Sequence, residues 1–214
     1  MPTGNFGDIL AGYYAKRMGL PVKDLLVATN ENDILHRFFT RGEYHKTANL
    51  ETLAPSMDIC VSSNFERLIF DLMDRDGAAV DAAMRAFRAD GVLPDAAALC
   101  DGARGLFEGQ RVDDAETLDV IRDVHAQTGV LLDPHTAVGV GAARKTPRDG
   151  LKRVVLATAH PAKFPDAVEQ ATGLRPALPM HLSDLLTHPE EATAIDNEFD
   201  AVRDFVRAHA VAAW

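Results

Sequence analysis

Pro2-Thr3-Gly4-Asn5-Phe6-Gly7-Asp8 runs without a break into Ile9-Leu10-Ala11-Gly12-Tyr13-Tyr14-Ala15-Lys16-Arg17. Two glycines three positions apart let the backbone turn tightly and gather its N–H groups on one side. Asn5 and Asp8 are helix-capping types, and the residues after Asp8 carry a helix that stops at Gly19-Leu20-Pro21. A Gly-rich turn feeding a helix N-terminus suits an anion, because unpaired N–H donors and the helix dipole converge on it. A plain strand-to-helix turn would use the same residues, so the motif by itself leaves both readings open.

Outward from this turn, the chain alternates between helical and strand patterns. Leu25-Leu26-Val27-Ala28 is a short apolar run suited to a buried parallel strand. Asn30 or Asn32 then caps a helix through Phe39 that ends at Gly42. Ile59-Cys60-Val61 fits a strand edge. Residues 64–91 turn helical in period, with Gly77 separating two amphipathic helices, most simply an antiparallel pair. Residues 106–112 read as a strand, and Asp113 or Asp114 caps a helix over 115–127 that Gly129 stops. Val130-Leu131-Leu132 is a further short strand, and Pro134 suits the first turn of the helix after it. That helix, over 137–144, contains Gly139 and Gly141. Each glycine costs a helix about 1 kcal/mol, so close packing against a neighbour is the expected reason. Residues 153–158 give the strongest strand signal, followed by a helix over 161–172, a short helix near 182–186 and a last one over 195–209. Helix and strand in this order are the grammar of an α/β fold with a parallel sheet. The expected layout is an α/β part over 1–63, a helical lobe over 64–102, an α/β part completing the sheet over 103–175, and a helical tail over 176–214.

Composition narrows the function. A net charge of −10 argues against a nucleic-acid or anionic-membrane surface, either of which needs a basic patch. No apolar run reaches membrane-spanning length, and Met1 leads into a loop rather than a signal peptide. Cys60 and Cys100 lack CxxC spacing and read as buried or idle thiols of a reducing compartment, so a cytoplasmic protein is expected. The eight histidines show no HExxH-type spacing, and no metal is expected. Ser62, Ser63, Asn64, Glu66 and Arg67 are explained by a capping box and a solvated helix face.

Residues 2–22 (PTGNFGDILAGYYAKRMGLPV) closely resemble the phosphate-cradling segment of threonine synthases. These are pyridoxal 5′-phosphate (PLP) enzymes that make threonine from O-phosphohomoserine. Further segments resemble the same family in the same order: NENDILHRFFTRGEY at 30–44, APSMDIC at 54–60, VSSNFERLIFDL at 61–72, DPHTAVGV at 133–140 and ATAHPAKFP at 157–165. The resemblance implies a PLP fold type II domain, similar to the β subunit of tryptophan synthase, with a helical insertion and its N-terminal part missing.

It also implies roles. Gly4, Asn5, Phe6, Gly7 and Asp8 would hold the cofactor phosphate, mainly through backbone N–H groups, with the Asp8 side chain turned away to cap the helix. Thr158 matches the position whose hydroxyl meets the pyridine nitrogen, and a neutral hydroxyl does not hold that nitrogen protonated. Asn5, His135, Thr136 and His160 are candidate substrate contacts, though His135, Thr136 and His160 serve equally as caps or turn residues. Such enzymes hold PLP on a lysine as a Schiff base, and that lysine then moves the substrate protons. In the family it precedes the phosphate loop. None of Lys16, Lys23, Lys46, Lys145, Lys152 and Lys163 stands in its motif, so no Schiff-base lysine is expected here. The expected reading is the C-terminal portion of a threonine synthase, inactive alone, whose partners are O-phosphohomoserine and the absent N-terminal domain. The complete enzyme would eliminate phosphate from the γ carbon and add water at the β carbon. The competing reading is a non-catalytic remnant serving as a phosphate- or PLP-binding or oligomerisation module.

Overall fold

The computed structural model describes residues 1–210. They fall into two compact units, Met1–Ala177 and a smaller one beginning at Leu178.

In the larger unit, α1 (Gly7–Arg17) is followed by β1 (Leu25–Thr29) and α2 (Ile34–Arg41). Then come α3 (Phe65–Leu72), α4 (Gly77–Asp90), α5 (Ala96–Ala103), β2 (Phe107–Arg111), α6 (Asp114–Thr128), α7 (Pro134–Lys145) and α8 (Pro165–Thr172). β1 and β2 pair in parallel, Leu25 opposite Phe107 and Thr29 opposite Arg111. Pro2 forms a parallel bridge with Ala28 on the other edge of β1. The Thr3 N–H donates to the Ala28 carbonyl at 2.7 Å, so the Gly4–Asp8 turn starts beside the C-terminal end of β1.

The core forms around aromatic rings. Phe6, Phe38 and Phe65 are fully buried, and Phe6 lies 5.2 Å from Phe65 and 5.8 Å from Phe107 between ring centroids. Phe38 meets Phe65 edge-on at 4.8 Å. These edge-to-face and tilted pairings suit the aromatic quadrupole. The Ile34, Leu35 and Phe38 side of α2 faces this cluster.

Several expected elements form as read. Asp113 and Glu116 make a reciprocal capping box that starts α6, and Gly129, at φ 74°, ends it. Gly139 and Gly141 of α7 do sit against neighbours: a Cβ there would lie 3.0 Å from Val155 Cγ1 and 3.1 Å from Val112 Cγ1.

Others do not form. Residues 59–61, 130–132 and 153–158 are not strands. Strand propensity becomes a strand only beside a backbone with free N–H and C=O groups. Among the described residues none pairs with these three segments. Neither Asn30 nor Asn32 caps α2; the N-cap is Asp33, and both asparagine side chains turn to the loop over 50–58. Asp8 does not cap α1 either. The N-cap is Phe6, no side chain caps it, and Asp8 is an exposed first-turn residue, favourable to the helix dipole without a cap bond. Ser62 to Arg67 form no capping box: Asn64 precedes α3 without a side-chain cap. The expected helix over 161–172 breaks into a 3-10 turn, Pro161–Lys163, and α8, because Pro165 has no N–H to continue the first turn.

The smaller unit contains two 3-10 turns, Met180–Leu182 and Leu185–Thr187, and α9 (Phe199–His209). Phe199, Val202 and Val206 recur along α9 at helical spacing and are exposed.

The end of α2 offers a stability test. Gly42 has φ 71°, and a Cβ there would stand 2.8 Å from the Cα of Ala97 in α5. Left-handed backbone costs an L-residue about 1–2 kcal/mol before any overlap. Gly42→Ala is therefore expected to lose about 2 kcal/mol or more of unfolding free energy, read as a lower urea midpoint at unchanged slope.

Candidate functional site

The turn after Thr3 is held in a costly shape. Phe6 has φ 66°, a left-handed conformation that an aromatic residue rarely adopts. Its buried ring offsets that cost, and the result is an open run of amides. The N–H groups of Gly4, Asn5, Phe6, Gly7 and Asp8 have no hydrogen-bond partner among the described residues.

These five residues line one cleft of about 240 Å³ together with Ser56, Asn64, His135, Thr158 and Lys163. The phosphate-turn candidates and Thr158, 150 positions apart in the chain, are thereby brought together. Thr158 is exposed in the cleft with no hydrogen bond to its hydroxyl among the described residues. His160 is not on the lining; its Nδ1 accepts from the Ala162 N–H at 3.2 Å and starts the 3-10 turn that carries Lys163.

His135 borders the cleft, but both ring nitrogens are engaged. Nε2 accepts from the Ser56 N–H at 3.1 Å, which leaves the proton on Nδ1, 3.1 Å from Asp133 Oδ1. Thr136 is buried away from the lining and its hydroxyl donates to Asp133 Oδ2. Asp133 also accepts the His135 N–H at 2.9 Å as the N-cap of α7. Burial would push the Asp133 carboxyl upward, but hydrogen bonds from His135 and Thr136 outweigh it and hold it below the ordinary value of 3.8.

Two further residues, Ser63 and Asn64, were not legible in the sequence as parts of the site. The Asn5 side-chain oxygen accepts from both the N–H and the hydroxyl of Ser63, at 2.8 and 2.7 Å, so its NH2 is the end left over. Asn64 gives its oxygen to Arg67, and its Nδ2 lies 3.4 Å from where a Gly7 Cβ would stand. The resemblance at 61–72 was a signal for both, but a capping box accounted for those residues more simply.

The opposite wall is the 3-10 turn Pro55–Met57. Asp58 ties it to the end of β1: Oδ1 accepts from Asn30 at 2.7 Å, Asn32 at 2.9 Å and the Thr52 hydroxyl at 2.7 Å, while Oδ2 accepts from the Thr52 N–H. This turn presses on the loop. A Cβ on Gly4 would come within 2.9 Å of Met57 Cα, whereas one on Gly7 meets only ordinary contact. The need for glycine is therefore sharper at Gly4 than at Gly7, and protein backbone imposes it.

The arrangement is an α/β protein with a donor-lined cleft at the C-terminal end of its parallel strand, built from open amides, amide NH2 groups and one lysine among the described residues. The family model described as "Threonine synthase, C-terminal" matches residues 136–206. The chain is 52% identical over 211 residues to threonine synthase of Pseudomonas aeruginosa, a match covering 98% of this chain and 45% of that protein. It is 42% identical to the Corynebacterium glutamicum enzyme, over 96% of this chain and 44% of the relative. A crystal structure of PLP-bound threonine synthase from Brucella melitensis superposes with a TM-score of 0.87 at 47% identity, covering 97% of this chain and 45% of that one. The chain is similar to threonine synthases along nearly its whole length, and it spans somewhat under half the length of these relatives.

Asp133 supplies a prediction. A carboxyl held below its unfolded value stabilises the fold above about pH 4, and that contribution disappears as pH falls through its folded value. Asp133→Ala removes a cap and leaves the buried His135 and Thr136 groups unpaired, at about 1–3 kcal/mol per group. The variant is expected to be less stable by about 2–4 kcal/mol at pH 7, with the gap to the parent narrowing in urea titrations below pH 4.

Proposed function

We propose that this chain forms the cofactor-phosphate side of a PLP-dependent threonine synthase, the complete enzyme converting O-phospho-L-homoserine and water to L-threonine and phosphate. The observation that carries the reading is the run of five unpartnered N–H groups lining one cleft with a free threonine hydroxyl, in a chain similar to threonine synthases. The residues present fit the cofactor: open amides and a helix N-terminus for a phosphate dianion, and a neutral hydroxyl for a ring nitrogen.

When bound, PLP withdraws electrons from the substrate carbon skeleton, which allows phosphate to leave the γ carbon and water to add at the β carbon. Gly4, Asn5, Phe6, Gly7 and Asp8 hold the cofactor phosphate by their backbone N–H groups. The Asp8 carboxylate stays in solvent, where its repulsion of the dianion is screened. Thr158 hydrogen-bonds the pyridine nitrogen without protonating it. The NH2 of Asn5 is a direct substrate contact of this chain. His135 and Thr136 act from behind by fixing the cleft wall, and His160 acts by aiming the turn that follows it.

The lysine that carries the cofactor and moves protons is not among this chain's six. Its family position favours this, as does the cleft, where Lys163 alone of the six stands on the lining. The portion of the family fold that this chain does not span then completes the site. In this reading residues 64–102 are a helical lobe inserted into the α/β body, which occupies 1–63 and 103–175, and 176–214 are its helical tail.

Two measurements test the proposal. The 214-residue chain is expected to take up PLP in a fluorescence titration but to form no threonine from O-phosphohomoserine; threonine together with one dominant lysine labelled after borohydride reduction would overturn the inactivity. Thr158→Val keeps the shape and removes the hydroxyl, an unpaired acceptor costing about 1–3 kcal/mol, so PLP affinity is expected to drop roughly tenfold or more while Thr158→Ser retains it. Equal affinity for Thr158→Val and the parent would mean that the ring nitrogen is held elsewhere.

A further inference from the structure

Among the described residues the cleft contains one cation, beside a turn that already offers five open amides. Lys163 and Asp8 are the charged side chains among the lining residues, since His135 carries a single ring proton there. Lys163 is within 4 Å of no carboxylate and donates no hydrogen bond among the described residues, in contrast to Lys145, which meets Glu116 at 2.6 Å. Its position is nevertheless built. Pro161 and the His160 cap fix the 3-10 turn, the Lys163 N–H donates to the His160 carbonyl at 3.0 Å, and the ammonium stands 5.8 Å from the Phe164 ring centroid. Phe164 in turn packs on His135 at 4.6 Å between ring centroids, joining this turn to the cleft wall. A lysine with fixed backbone, an aromatic support and no anion of its own is arranged to receive one from solution.

We propose that Lys163 is the binding residue for a second phosphate monoester dianion, the one carried by the phosphorylated substrate, while the amides of the Gly4–Asp8 turn hold the cofactor's. The division follows from donor type. Rigid backbone N–H groups suit a resident phosphate, whereas a mobile ammonium on a four-carbon stem can follow a group that arrives esterified and departs as free phosphate. The proposal rests on the threonine synthase reading for the source of the second phosphate.

The test uses the chain saturated with PLP, so that the turn is filled before inorganic phosphate is titrated in by calorimetry. The parent is expected to bind phosphate. Lys163→Gln is expected to bind it at least tenfold more weakly, about 1.4 kcal/mol, and Lys163→Arg within about threefold of the parent, with PLP affinity nearly constant across the three. Phosphate binding by the parent is also expected to weaken with added salt, as an exposed ion pair must. Equal phosphate affinity for Lys163→Gln and the parent, or no phosphate binding by the PLP-loaded parent, overturns the proposal. A loss of PLP affinity as large as the loss of phosphate affinity also overturns it, by assigning Lys163 to the cofactor's phosphate. A parent that takes up no PLP fails at the first titration, and that failure belongs to the functional reading rather than to the division of phosphates.

Discussion

The structure of the cleft depends on one buried ring in a strained turn. Left-handed backbone at Phe6 costs about 1–3 kcal/mol, and full burial of a phenylalanine side chain returns about 1.5–3 kcal/mol. The two nearly balance, so the ring's contacts with Phe65, Phe39 and Phe107 hold the turn open. The functional surface is thus a consequence of core packing: the aromatic cluster that joins α1, α2, α3 and β2 also orients the amides at the start of α1.

A second constraint is polar. Parallel strands leave their connecting loops at the C-terminal end, and those loops need partners for their backbone groups. Asp58 collects the side chains that follow β1, and Asp133 collects His135 and Thr136 at the start of α7. Ser56 links the two sets through His135, which sets the turn Pro55–Met57 against Gly4. Most of the polar side chains around this cleft accordingly bind one another. The groups left over for a ligand are few: open amides, the NH2 ends of Asn5 and Asn64, the Thr158 hydroxyl and the Lys163 ammonium.

This economy separates residues whose polar groups stay open to the cleft from residues that position them. His135 borders the cleft, yet its ring is spent on Asp133 and Ser56. His160, a candidate substrate contact or cap in the sequence, serves as a cap. Lys163, set aside in the sequence because it is not the Schiff-base residue, is the one cation among the described residues that the fold delivers to the lining.

The sequence by itself determined the local features. The helix-starting turn at Gly4–Asp8, the capping box at Asp113 and the glycine stops at Gly42 and Gly129 each depend on neighbours within a few residues, and their patterns were readable. The family motifs likewise marked the turn and Thr158, which the fold brings to one cleft. Only the tertiary structure decided which apolar runs become strands, because a ladder needs a distant partner, and residues 153–158 have strong propensity without one among the described residues. It also decided what each polar side chain does. Asn30, Asn32 and Ser63 are all plausible caps in a linear reading, but each side chain donates instead to an acceptor that the fold places 18 to 58 positions away.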